Sequence, residues 1–110
     1  MVQASAVGFY GARGDEVLTE DAPSQPGYFL SDVCVAWEAS TAPVEALGVR
    51  RAVARIGLVL AREGGALPPL VLPFRLFAGG PTGSGRQYYP WIHIDDVVGA
   101  LAFLIESPAA

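Results

Sequence analysis

Residues 72–97, LPFRLFAGGPTGSGRQYYPWIHIDDV, decide the reading of this chain. They fall into three parts. Gly79 to Gly85 is rich in glycine and reads as a turn. Gln87 to Ile94 is an aromatic, extended segment, and Pro90 inside it points to a sheet edge or a bulge. Asp95 or Asp96 then caps a helix that runs through Glu106. Its apolar positions are Val97, Val98, Leu101, Leu104 and Ile105, and Pro108 follows its end.

Upstream, the pattern alternates between strands and helices. Val2 to Val7 is a short apolar run and reads as a buried parallel strand. Gly8 to Gly27 carries glycines, prolines and acids and reads as a loop. Phe29 to Leu47 has helical spacing, with Phe29, Val33, Trp37 and, further along, Val44 near one face and Ser31 or Asp32 near its start. Pro43 predicts a kink or an early end, and Gly48 a stop. Arg51 to Leu60 is a second strand, broken after Leu60 by Gly64 and Gly65. Pro69 to Phe77 is a short helix, with Pro73 awkward inside it. The order strand, helix, strand, helix, strand, helix predicts an α/β fold. Two of the strands look hydrophobic on both faces, and parallel strands of that kind need neighbours on both sides.

Composition narrows the chemistry. The chain has 110 residues, 52% of them hydrophobic, which suits one small globular domain. A net charge of −4 provides no basic face for nucleic acid. No run approaches the roughly 18 apolar residues of a membrane span. The first residues lack the features of a signal peptide, and the lone Cys34 excludes an internal disulfide, so a cytoplasmic location is expected. All seven basic residues are arginine. Without lysine the chain cannot build a P-loop lysine, a Schiff base or a Tyr-x-x-x-Lys pair.

Four segments have candidate chemistry, each with a structural alternative. Ser5 stands at a strand end before a glycine-bearing turn, where its hydroxyl could reach a ligand; on spacing alone a small residue at a tight turn is the favoured explanation. Cys34 and Glu38 lie on the first helix. A reactive thiol or a general base would need them accessible, whereas the plain reading packs Cys34 and Trp37 and leaves Glu38 in solvent. His93 is the only histidine; with Asp95 and Asp96 committed to capping, no metal site is expected. The dinucleotide fingerprint Gly-x-Gly-x-x-Gly is absent. Gly83-Ser84-Gly85 with Arg86 could touch a diphosphate through backbone amides and a guanidinium, or form a plain turn.

Taken together, these segments resemble one branch of the extended short-chain dehydrogenase/reductases, the NAD-dependent epimerase/dehydratase-like "epimerase family" proteins. The resemblance rests on Gln3 to Gly11, Gly14 to Glu16 with Thr19 to Asp21, Cys34 with Trp37-Glu38, Arg55 to Leu60, Gly64 to Leu67 and, most specifically, Phe74 to Val97. It implies a partial Rossmann-like parallel sheet over residues 1–110 that lacks the N-terminal glycine-rich βαβ unit, with a substrate-lobe-like insertion at 61–90. It implies NADP or NAD as cofactor and a small-molecule substrate, sugar-nucleotide-like or carbonyl-bearing. Ser5 falls at the family's active-site serine. Tyr10 is the nearest phenol to replace the missing Tyr-x-x-x-Lys relay. Arg55, Gly57, Leu58 and Val59 match the strand that passes the nicotinamide, and Arg86 and His93 fall on the substrate side. The expected function is that of a fragment of an NAD(P)-dependent oxidoreductase or epimerase. The alternative is a non-catalytic truncated chain or a cofactor-sensing, partner-binding module. Open strand edges leave a homodimer as one outlet.

Overall fold

In the computed structural model, which describes residues 1–107, the chain opens with strand β1 (Val2–Ala6) and a single 3-10 turn (Val7–Tyr10). A loop leads to helix α1 (Phe29–Thr41). Helix α1 ends before Pro43, and a 3-10 segment (Ala42–Leu47) closes on Gly48, whose φ of 73° is the left-handed stop that glycine adopts without strain. Strands β2 (Ala52–Ile56) and β3 (Leu58–Leu60), helix α2 (Leu67–Arg75), strand β4 (Trp91–His93) and helix α3 (Ile94–Glu106) follow. Pro108 lies outside the described residues.

The expected second strand, Arg51 to Leu60, is in fact two strands with different partners. β1 pairs in parallel with β2, Ser5 beside Arg55, and β3 pairs in parallel with β4, Leu58 beside Trp91. The break falls at Gly57. The Pro90 carbonyl accepts from the Leu58 amide at 2.8 Å, and a side chain on residue 57 would come within 2.0 Å of that oxygen. Only glycine lets the chain before β4 approach this closely. The extended segment predicted from Gln87 to Ile94 narrows accordingly to β4.

Helix α1 turns a different face inward from the one its apolar spacing predicts. Phe29, Val33 and Trp37 are exposed, and Ser31 and Cys34 are buried. The cause lies across the interface, where β1 points the buried polar side chains of Gln3 and Ser5 at the helix. A buried polar group without a partner costs about 1–3 kcal/mol. The helix face that can answer carries Glu38, Thr41 and the Trp37 carbonyl, and Gln3 donates to that carbonyl at 2.7 Å. Ser31, fully buried, accepts from the Gln25 amide at 2.9 Å and donates to the Phe9 carbonyl, which ties the loop to the helix. Cys34 packs as expected, beside Gly8.

The cap of α3 also differs. Asp95 and Asp96 lie in its first turn, where they favour the helix dipole, but the capping side chain is that of His93. Its Nδ1 accepts from the Asp95 amide at 3.2 Å. Val97, Leu101 and Leu104 of α3 face Ala54, Ile56 and Ile92 across an apolar gap of about 240 Å³. Helix α2 ends in a paired 6→1 and 5→2 closure, Ala78 to Pro73 and Phe77 to Phe74, with Phe77 in the left-handed position at φ 56°. Most of residues 70–91, including Leu72, Phe74, Phe77, Tyr88 and Trp91, is exposed.

Candidate functional site

The register of β1 against β2 sets Ser5 beside Arg55 on the side that faces α1. Glu38 comes down from α1 between them. Ser5 Oγ donates to Glu38 Oε1 at 2.6 Å. Arg55 grips the same carboxylate with two donors, Nε to Oε1 at 2.9 Å and Nη2 to Oε2 at 3.0 Å. The side chains of Arg55 and Glu38 keep only 22% and 12% of their surface exposed, so this is a shielded, bidentate pair. Arg55 reaches further, with Nη1 donating to the Tyr10 hydroxyl at 2.8 Å and to the Glu20 carbonyl at 3.0 Å. Its guanidinium carbon stacks 3.5 Å from the centre of the Phe9 ring.

Charge and burial set the protonation of the cluster. The Arg55 guanidinium bonded to Glu38 holds its carboxyl below the usual range, against the opposing pull of burial, and Ser5 and Arg51 add to the effect. Glu38 in turn, ahead of the opposing burial and the Tyr10 contact, pushes Arg55 further up. An ionised Glu38 can only accept hydrogen bonds, so the single Ser5 proton is committed to it. Ser5 can therefore accept from a further group but has no proton left to donate. Tyr10 is arranged the other way. It accepts from Arg55, and its own proton has only a long 3.4 Å contact to the Glu20 carbonyl.

Beyond Tyr10 lies a groove of about 470 Å³ lined by Val7, Tyr10, Leu18, Thr19, Glu20, Val53 and Arg55. It adjoins residue 7, just past the carboxyl end of β1, the end at which open parallel sheets bind ligands. Ser5, Tyr10 and Arg55 thus come together. Gly57, Leu58, Val59 and His93 form a second group around the β3–β4 pair. Arg86 belongs to the exposed loop before β4 and joins neither.

Glu38 was read from sequence as solvated, and the structure corrects that: it is the hub of the cluster. Ser31, Cys34 and Glu38 stand three and four residues apart on one helix face, but that spacing alone does not say that this face is the buried one. Trp37, expected to pack, is instead 47% exposed. The glycine turn does not form an open phosphate cradle. Gln87 folds into it, donating to the Thr82 carbonyl at 2.7 Å, and its amide nitrogen occupies the space a side chain on Gly83 would need. Among the described residues no three His, Cys, Asp or Glu side chains converge on one point. Among them, too, no helix is long and apolar enough to cross a membrane.

No protein-family model matches the chain. Curated relatives do. It is 44% identical over 110 residues to an epimerase family protein of Staphylococcus saprophyticus, and 40% identical over 107 residues to the epimerase family protein YfhF of Bacillus subtilis. It covers 37% and 35% of those two proteins, so it spans about a third of the length of the relatives it matches. Among solved structures, a nucleoside-diphosphate sugar epimerase from Corynebacterium glutamicum superposes on all of the chain with a TM-score of 0.88 and 43% identity, over 24% of that protein. Human epimerase family protein SDR39U1 (isoform 2), solved with NADPH, superposes on 99% of the chain with a TM-score of 0.89 and 39% identity, over 37% of its own length. The parallel pairing of β1 with β2 across α1 is thus Rossmann-like, and the 110 residues are homologous, end to end, to part of the epimerase family proteins.

Proposed function

We propose that this chain supplies the reacting side of an NAD(P)-dependent epimerase or oxidoreductase of the extended short-chain dehydrogenase/reductase kind. Its substrate is a small molecule, sugar-nucleotide-like or carbonyl-bearing. The carrying observation is the match of 99% of the chain to a protein solved with NADPH.

On this reading Gly57, Leu58 and Val59, just past the carboxyl end of β2, would hold the nicotinamide, which when bound would supply or accept hydride. The proton on the Tyr10 hydroxyl is the one within reach of the groove, and Arg55 fixes that hydroxyl by donating to its oxygen. Ser5, whose hydroxyl donates to Glu38, orients a substrate hydroxyl by accepting from it. Arg86 and His93 lie on the substrate side, within a lobe-like insertion at 61–90 and at its return to the sheet.

Residues 1–110 hold the nicotinamide side alone. The closed Gly79–Gly85 turn and the absent glycine fingerprint leave no cradle for the diphosphate. The dinucleotide is gripped by a glycine-rich βαβ unit outside these residues, and alone the chain is inactive. The buried free Cys34 accords with a reducing compartment such as the cytoplasm. A second reading, a non-catalytic cofactor-sensing or partner-binding module, draws on the complete lack of lysine.

A chimera tests the proposal. The segment of the human relative that matches this chain is replaced by the 110 residues, and NADPH binding is followed by energy transfer from protein tryptophan to the dihydronicotinamide. The expected result is affinity within about tenfold of the parent, a change of roughly 1.4 kcal/mol. A folded chimera that does not bind NADPH overturns the reading.

A further inference from the structure

We infer that Tyr10 and Arg55 form a two-donor site for the neutral carbonyl oxygen of a small ligand, and that the Glu20 carbonyl fills this site until the ligand displaces it. The ligand being a carbonyl compound rests in part on the functional reading above; the exchange of one carbonyl for another rests on geometry. The two protons of Arg55 Nη1 go to the Tyr10 hydroxyl at 2.8 Å and to the Glu20 carbonyl at 3.0 Å. The Tyr10 hydroxyl donates to that same carbonyl at 3.4 Å, whereas O–H donors ordinarily sit at about 2.7–2.8 Å. Two donors thus converge on one oxygen beside the groove, and the better placed of them for a ligand, Tyr10, is poorly served by the oxygen it has.

That oxygen belongs to the least tethered part of the loop. On one side Arg13 ties the loop down, donating to the Tyr10 carbonyl at 3.1 Å and to the Pro23 carbonyl at 3.0 Å. On the other, Gln25 accepts from the Ala12 amide at 2.8 Å, and its own amide donates to Ser31. Between these ties, among the described residues, the hydrogen bonds that join 17–21 to the sheet and the first turn all end on the Glu20 carbonyl. Val17 is 91% exposed, and Leu18 is on the groove wall. Residues 17–21 are therefore a strap between two fixed ends, of the kind that opens at low free-energy cost. Charge selects the occupant. Glu38 already matches the Arg55 charge with both its oxygens, and Glu16, Glu20 and Asp21 are exposed acids on the same loop. An anion would meet negative charge there with no free cation to answer it. A neutral carbonyl brings two lone pairs and no proton, which is what two donors require and what the Glu20 carbonyl itself presents.

The test titrates the 110-residue chain, carbon-13 labelled at the tyrosine ring carbon that bears the hydroxyl, with cyclohexanone, and separately with cyclohexanecarboxylate. Tyr10→Phe identifies the Tyr10 signal, and its circular dichroism should match the wild type. Cyclohexanone should shift that signal saturably, with a midpoint below about 30 mM, ordinary for a ligand of so few atoms. In the same titration amide exchange at Asp21 and Ala22 should rise at least about threefold as the strap lets go. Tyr10→Phe should abolish that rise. A second variant, Val17→Gly with Asp21→Gly, loosens the strap at two exposed side chains outside the groove wall. It should tighten cyclohexanone binding roughly threefold or more, because a weaker internal competitor leaves more of the site free. The same titration in the chimera reads the site within a full-length fold, and the same shifts are expected there. No shift at Tyr10, exchange in the strap that stays constant while the ketone binds, or a loosened strap that leaves affinity unchanged overturns the inference. Tighter binding of the carboxylate overturns the neutral carbonyl as occupant. Ketone binding at Tyr10 in a chimera that fails to bind NADPH upholds the site and overturns only the cofactor reading; NADPH binding without any ketone effect does the reverse.

Discussion

Glu38 shows how one side chain can connect three elements. It sits on α1, accepts a hydrogen bond from Ser5 on β1 and holds both prongs of Arg55 on β2. Each partner would be a buried polar liability alone, and together they are satisfied; none of the buried side-chain polar atoms described is left without a hydrogen bond. The cluster also has a pH signature. The folded carboxyl titrates below its ordinary value of 4.5, so ionised Glu38 contributes stability above that pH. The contribution is lost as pH falls through the lower, folded value. Glu38→Gln should cost about 1–3 kcal/mol at neutral pH, because Arg55 loses a charged acceptor. The gap between variant and wild type should close as pH drops below 4.5. Urea unfolding midpoints across that range measure it, and a gap independent of pH would mean that Glu38 is not ionised in the fold. The sequence showed Ser5 and Arg55 as candidates, but their partner was hidden. A glutamate on a helix reads as solvated unless one knows that polar groups wait opposite it.

Among the elements, α1 and the β2–β3 pair hold the main departures from pattern. The stripe of Phe29, Val33 and Trp37 marks a helix correctly but not the face it buries here, since periodicity reports amphipathicity and not the chemistry of the neighbour. Arg51 to Leu60 reads as one strand because its apolar run is continuous, and what divides it is an approach from Pro90, far along the chain. That approach makes Gly57 the most size-restricted position between the two sheets. Gly57→Ala should cost about 1–3 kcal/mol, as overpacking does, and should loosen β3–β4 before β1–β2. Amide exchange at Leu58 and Val59 rising ahead of that at Val53 and Ala54 would be the observation. Equal loosening of both sheets would place the strain elsewhere. The cap of α3 was legible as a site and misassigned by residue. Asp95 and Asp96 are strong capping types, but His93, at the strand end, has the extended backbone the cap position requires.

At the scale of the whole molecule, surface is the dominant fact. A closed monomer of this mass exposes about 5,800 Å², whereas the chain exposes 7964 Å² and extends over 55 × 32 × 22 Å. Its radius of gyration is 16.7 Å, against about 13 Å for a compact domain of this length. Cys34 and Val97 are the hydrophobic side chains buried most fully. Little apolar area is therefore set against chain entropy, and the isolated 110 residues should melt broadly, with a midpoint below about 60 °C. Calorimetry with a mass measurement tests this; a sharp monomeric transition above that temperature would show that the open faces close on one another. By itself the sequence determined the α/β order, the parallel strands and the ends of α1 and α3, because local spacing, prolines and glycines set these along the chain, and its motifs carried the family likeness. Only the tertiary structure decided which face of α1 is buried, where the second strand divides, which residue caps α3 and what Glu38 holds. The cap is a contact that His93 makes two residues along the chain, at a strand end that only the fold defines; the other outcomes depend on groups meeting across tens of residues, and that pairing leaves no periodic trace in the sequence.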